Sequence, residues 1–280
     1  MVAAVVAVAA PRGAKHHHHT QHLFMPSPTG GQPIEAPTSR HTIWLLAEAH
    51  FDQVVSVAPV RALFARGVVY EPITPRQHPS TLVPVIPTAD FHAESQLAQA
   101  IADHELATGV RAVIYDNERF ANTPTVEQDN IRLSTERAAA VARAAGLQSI
   151  CDFIESDRLP SGERTAQNEV PPCSIVGLNT VQQSERSTAR YRAVVARDVA
   201  VIRSVDPSVP IIAGLSSNPR GTPVTAAELT ADMEATAGLV NGYWLNVPAP
   251  GVGCPACHAP DPGLMAEALA ALPAGFATTG

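Results

Sequence analysis

The chain has 280 residues and a formal net charge of −7, with 19 Lys and Arg against 26 Asp and Glu. The basic residues are scattered and form no block, which argues against a nucleic-acid or acidic-membrane partner. An apolar fraction of 45% supplies a large core at a length α/β barrels commonly reach as one domain, and no stretch approaches a membrane span.

Taken in order, the run M-V-A-A-V-V-A-V-A-A at 1–10 matches the apolar centre and small-residue end of a secretory signal but lacks the basic leader that should precede it. Residues 1–14 are therefore read as a signal-peptide remnant, and the protein as secreted or extracytoplasmic. Residues 15–40 carry His16 to His19, His22 and a Pro/Ser/Thr/Gly-rich run without apolar periodicity, the pattern of a disordered linker. The fold, residues 41–280, begins with a strand at Thr42–Glu48, whose exit puts Glu48 and His50 on one face. A helix over 54–65 and a second strand over 67–71 follow. The third strand, Leu82–Thr88, comes after only ten residues, too few for an ordinary crossover helix, so this corner should be irregular.

After a helix over 93–107, the stretch R-A-V-I-Y-D-N-E-R-F at 111–120 is an apolar run ending abruptly in Asp116, Asn117 and Glu118. In a strand, alternation places Asp116 and Glu118 on one face and Asn117 on the other. Thr123 followed by Pro124 reads as a helix start and Gly146 as its stop. Gln148–Ile154 is the fifth strand, with Glu155 at its exit and a polar insertion over 157–172 able to cover a site. Ser174–Val181 leads through Gln182 and Gln183 into a long helix to Val205. Pro210–Ser217 ends in Asn218, and Thr225 with Glu228 forms a capping box for the following helix. Gly242–Val247 is the eighth strand, with Trp244 and Asn246 on one face, and a helix over 264–272 closes the chain.

Eight strands mostly separated by helices give a single-domain (β/α)8 TIM-like barrel with an irregular corner between strands two and three. Its strand exits would gather Glu48, His50, Glu71, Asp116, Glu118, Glu155, Gln182, Asn218, Trp244 and Asn246 on one rim. Carboxylates beside amides and an indole suit a carbohydrate or other small polar ligand: hydrogen bonds to hydroxyls, an apolar plate for the ring, and acids that can protonate a glycosidic oxygen.

D-N-E-R-F-x-x-T-P-x-x-E-Q, A-G-L-S-S-N-P, and G-Y-W-L-N-V-P with C-P-A-C resemble a group of exported actinobacterial (β/α)8-barrel proteins of unassigned activity, over residues 42–272. A more distant likeness is to the family-18 glycoside hydrolases, the chitinase class, whose fourth strand ends in D-x-D-x-E. Asp116 and Glu118 match the final D-x-E, and Trp244 resembles the sugar-stacking tryptophan. Ile114 replaces the first Asp, and the sixth-strand tyrosine has no counterpart. Asn117-Glu118 also resembles the acid/base dipeptide of retaining barrel glycosidases, yet Ser216, Ser217 and Asn218 stand where their strand-seven nucleophile belongs. The rim as read here makes Glu118 the general acid, with Asp116 orienting it or holding its charge, and Glu48, His50, Glu155, Gln182, Asn218, Trp244 and Asn246 the substrate-binding groups.

Other chemistries have weaker support. Glu48, His50, Asp116, Glu118 and Glu155 could surround a hard cation, making a metal-dependent hydrolase the alternative, with a hydrogen-bonded His50 as the plain reading; no metal or other cofactor is expected. C-P-A-C-H at 254–258 matches a c-type haem attachment pattern but sits among prolines after the last strand, where a Cys254–Cys257 disulfide is the better reading. Cys151 and Cys173 flank the polar insertion and either pair or stay as buried thiols. No G-x-S-x-G elbow occurs. A monomer is expected, acting on saccharide or, in a catalytically silent form, binding saccharide or cell-wall material.

Overall fold

The structure is a computed structural model describing residues 41–46, 50–117, 122–179, 184–217, 223–250 and 256–280. Both segments expected ahead of the fold, 1–14 and 15–40, lie outside the described residues. Eight strands, β1 (Ile43–Leu46), β2 (Val68–Pro72), β3 (Ile86–Phe91), β4 (Ala112–Tyr115), β5 (Gln148–Asp152), β6 (Ile175–Leu178), β7 (Ile211–Ser216) and β8 (Gly242–Asn246), form a closed barrel in chain order. Every neighbouring pair is parallel, and β8 closes on β1 through Leu45↔Trp244. The expected (β/α)8 barrel is the fold.

The described helices are α1 (Phe51–Val55), α2 (Ala58–Phe64), α3 (Glu94–Ala102), α4 (Thr125–Asp129), α5 (Ile131–Ala144), α6 (Ala166–Glu169), α7 (Thr188–Val205), α8 (Ala226–Thr236) and α9 (Pro262–Ala270). Strand alternation separates two cores. Ile43, Leu45, Tyr70, Ala112, Ile114, Ile150, Ile175, Ile212 and Trp244 fill the barrel, while the intervening Trp44, Leu46, Val176, Ile211 and Ala213 pack outward among the helices. Closure demands close backbone approach at one point: a Cβ on Gly242 would stand 1.9 Å from the Ile43 carbonyl oxygen, so only glycine fits there.

Several boundaries differ from the sequence reading. β3 starts at Ile86, not Leu82, because L-V-P-V at 82–85 serves as packing, with Val83 buried, while the corner is organised by polar contacts. There the Glu71 carboxylate accepts the Ser80 N–H at 2.8 Å and Gln77 Oε1 accepts from the N–H and hydroxyl of Thr74. The single helix expected over 54–65 is two, α1 and α2, with Val57 as the extended residue between them. Thr123 is not a cap: its hydroxyl donates to the His92 carbonyl at 2.8 Å, Pro124 is the N-cap, and the helix is interrupted at Asn130. Gly146 does end α5, at φ +74°, and the Thr225–Glu228 capping box is present at the start of α8.

Candidate active site

The barrel mouth is assembled by strand parity. Asp116, one residue beyond β4, continues the inward set Ala112 and Ile114, and its N–H donates to the Phe91 carbonyl at 3.0 Å, extending the ladder past the strand. On β5 the inward set Gln148, Ile150 ends in Asp152. The register Ile114↔Ile150 and Tyr115↔Cys151, carried one step further, brings Asp116 opposite Asp152. Adjacent strands lie about 4.8 Å apart, so two carboxyl groups share one sector of the mouth. Each is 8% exposed, which leaves both reachable from the opening. Asp90 on β3 has the same inward parity, level with Ile114, and is exposed.

Facing them are amides. Asn246 donates through Nδ2 to Asn179 Oδ1 at 3.1 Å, bridging β8 to the end of β6 across β7. Gly214 permits this crossing, since a Cβ there would be 2.8 Å from the Asn179 carbonyl oxygen. Ser217 N–H donates to the Asn246 carbonyl at 3.0 Å and fixes the β8 exit. Below, the Trp244 indole lies over Gly177: a Cβ on Gly177 would be 2.9 Å from Trp244 Cε3 and 3.4 Å from Asp152 Oδ1, so carboxylate and ring are neighbours.

The residues behind Asp116 form a buttress. Asn117, facing outward, donates to the Tyr115 hydroxyl at 3.1 Å and to the Glu127 carbonyl at 3.3 Å. The Glu127 carboxylate accepts from the Glu94 N–H, the Ser95 N–H and the Ser95 hydroxyl, capping α3, whose own N-cap Ala93 offers no side-chain acceptor. Burial pushes the Tyr115 hydroxyl well above the usual tyrosine range, so it remains a neutral donor to Glu127 at 3.3 Å. Burial, then the Glu127 charge, raises Glu94. Arg158, in the insertion after β5, donates to the Asn117 carbonyl.

Of the residues singled out from sequence, Asp116 and Asn246 lie on the inward side of the mouth. Trp244 is there too, but as a wall and not an open plate: it is 4% exposed because Gly177 and the barrel interior enclose it. Glu71 is outward and tied to the β2–β3 corner. His50 is the N-cap residue of α1, half-buried, with Nδ1 3.2 Å from Gln53 Oε1. Glu155 is half-buried immediately before a short turn of helix at Ser156–Arg158. Glu48, Glu118, Gln182, Asn218 and Cys254 lie outside the described residues. Asp152 and Asn179 were missed because β5 was expected to run to Ile154 and β6 to Val181; the alternations Gln148, Ile150, Asp152 and Ile175, Gly177, Asn179 were the available signal.

Cys151 and Cys173 form a disulfide with Cα atoms 6.0 Å apart, which closes the β5 insertion at its base. Cys257 is also disulfide-bonded. Among the described residues no group of three or more His, Cys, Asp or Glu is arranged to hold a metal ion. No described helix is long and apolar enough to cross a membrane.

No family model and no curated protein sequence matches the chain. Among solved structures, a glucosidase from Croceicoccus marinus is similar over 86% of this chain and 68% of its own, at 12% identity and a TM-score of 0.52. The likeness is one of fold. A chitinase from Chromobacterium violaceum aligns over 82% of this chain and 98% of its own at 9% identity and a TM-score of 0.46. Triosephosphate isomerase from Bartonella henselae aligns over 74% and 92%, at 12% identity and a TM-score of 0.38. A fold does not fix a function, which has to be argued from the mouth.

Proposed function

We propose that the protein is an exported, glycoside hydrolase-like barrel acting on a carbohydrate or glycoconjugate through the carboxylates at the end of its fourth strand. The observation supporting this is the register that sets Asp116 against Asp152 on the inward face, beside the Asn179–Asn246 amide pair. Glu118, two residues beyond Asp116, donates the proton to the glycosidic oxygen. Asp116 and Asp152 stabilise the cation that develops at the anomeric carbon, and the amides orient sugar hydroxyls. Export is supported by the Cys151–Cys173 disulfide, since such bonds persist in oxidising compartments.

The experiment is hydrolysis of a panel of aryl glycosides and polysaccharides by the wild type and by Asp116→Asn, Asp152→Asn and Glu118→Gln. Loss of a general acid or of cation stabilisation should lower kcat by about 100-fold or more with little change in melting temperature. Wild-type activity that survives all three substitutions would overturn this assignment of residues.

A second reading, a catalytically silent saccharide binder, is favoured by one contact. Arg158 reaches the Asn117 carbonyl and so carries a guanidinium to within one residue of Asp116. In that case the wild type binds glycans without cleaving them, and the same substitutions alter affinity alone.

A further inference from the structure

A second pair of acids lies outside the barrel wall, where α7 and α8 pack together, α7 meeting β7 and α8 meeting β8. Glu185, between β6 and α7, is 0% exposed; its Oε1 accepts the backbone N–H of Ser216, the last residue of β7. Asp232, in the middle of α8, is also 0% exposed. Among the described residues, Glu185 Oε2 lacks a hydrogen-bond partner, and Asp232 has only the Thr188 side chain to hydrogen-bond its carboxyl group. None of the described ion pairs involves either acid. A carboxylate held in this way, out of water and without a cation, is far costlier than a carboxylic acid.

We propose that Glu185 and Asp232 form a proton-held latch that ties the β6 and β7 exits together while it stays protonated and loosens them when it ionises. The proposal concerns the wall next to the mouth and does not depend on the chemistry proposed there. Its mechanical link is short. Glu185 holds Ser216, and the next residue, Ser217, holds the Asn246 carbonyl, whose side chain bridges to Asn179. Ionisation adds two negative charges to one buried site, and the latch segment then gains by moving toward water.

Among the described residues, no ion pair compensates either acid. On α7 the Tyr191 hydroxyl donates to the Gly214 carbonyl at 2.9 Å, and on β8 the Tyr243 hydroxyl donates to the Met233 carbonyl at 2.6 Å. Burial raises both phenols, so neither becomes an anion or a proton acceptor at ordinary pH. Glu228, one turn earlier on α8, adds repulsion to Asp232; Thr188 offsets part of it. Arg186 acts on Glu228. Burial, then repulsion from Asp232, raises Glu185 against the lowering effect of the Ser216 N–H. Burial raises Asp232 to about 7. Between the ordinary carboxylate range and that value, the folded protein holds protons that the unfolded chain has released. Stability therefore falls as pH climbs through this window, and is highest below it.

The test is backbone hydrogen exchange over 184–187 and 211–217, corrected for intrinsic rates, at pH 5 and pH 8 in the full chain. In the wild type, protection at Ser216 should drop about tenfold or more at the higher pH. In Asp232→Asn and Glu185→Gln the drop should largely disappear. An equal drop in both variants, or no drop in the wild type, would overturn the latch. So would recovery of wild-type protection at pH 8 on adding potassium or calcium, which would make the pair a cation site. Carboxyl carbon NMR of wild-type Asp232 needs no variant: a midpoint near 7 supports the latch, and a carboxylate already ionised at pH 5 overturns it.

Discussion

Two acid pairs flank the β-wall, and their difference follows from which way each faces. Asp116 and Asp152 point into the barrel and keep 8% exposure at its open end, whereas Glu185 and Asp232 face the helices and have 0%. The inner pair meets amides, an indole edge and an opening through which a substrate could arrive. The outer pair meets two phenols held neutral by burial and a backbone N–H. Carboxyl groups of the same kind are thus suited to chemistry on one face and to storing a proton on the other. Solvent access, more than residue type, separates the roles.

The comparison breaks most visibly if the two pairs are exchanged as targets. Asp152→Asn should reduce glycan hydrolysis by about 100-fold or more while leaving the pH dependence of stability as in the wild type. Asp232→Asn should do the reverse, with turnover at pH 5 unchanged. Chemical denaturation at pH 4 and pH 8 reads the second half. A raised folded pKa of about 7 means that ionisation costs stability as pH increases, so Asp232→Asn should gain of order 3 kcal/mol relative to wild type between those two pH values. If both variants alter both quantities, the two pairs are one coupled system and the distinction fails.

A smaller effect is expected from the insertion after β5, which reaches the inner pair's neighbour Asn117 through Arg158. Cys151 and Cys173 are 22 residues apart, and replacing both with Ala should cost about 3 kcal/mol in denaturant unfolding, the chain-entropy value for a loop of this size. Because Arg158 lies inside that loop and contacts Asn117, the loss should come with altered glycan affinity. Exchange at Ser216, two strands from β5 on β7, should not change.

How far the sequence revealed each pair differs for physical reasons. Apolar runs with turn signals located eight strands, since a parallel barrel buries both faces of each one. The strand-four acids stood out because they interrupt such a run. Asp152 did not, because F-I at 153–154 extends the apolar pattern beyond the strand; Phe153 joins the helix-facing core and Ile154 a small cluster with Ile131 and Leu159. L-V-P-V at 82–85 misled in the same way, as packing that resembles a strand. Asp232 was harder still. Within A-E-L-T-A-D-M-E-A it looks like one more polar helix residue, and only the packing of α7 on α8 makes its face an interior one.

The smallest prediction uses α8 to separate fold stability from the latch. Thr225 accepts the Glu228 N–H at 3.2 Å, while the Glu228 carboxylate takes the Thr225 N–H and hydroxyl. Thr225→Ala removes the cap and should cost about 1 kcal/mol. These bonds hold the Glu228 carboxyl below its usual value, so their contribution is present above the ordinary glutamate range and is lost as pH falls from there through the lowered folded value. Above that range the cost should be nearly constant, and the decline in stability toward pH 8 should keep its slope. Glu228→Gln also weakens the box, but it removes a charge that raises Asp232, so the decline should become shallower. Denaturation curves at pH 6, 7 and 8 distinguish the two variants. Equal slopes would show that Glu228 does not act on Asp232 and that burial alone sets its proton affinity.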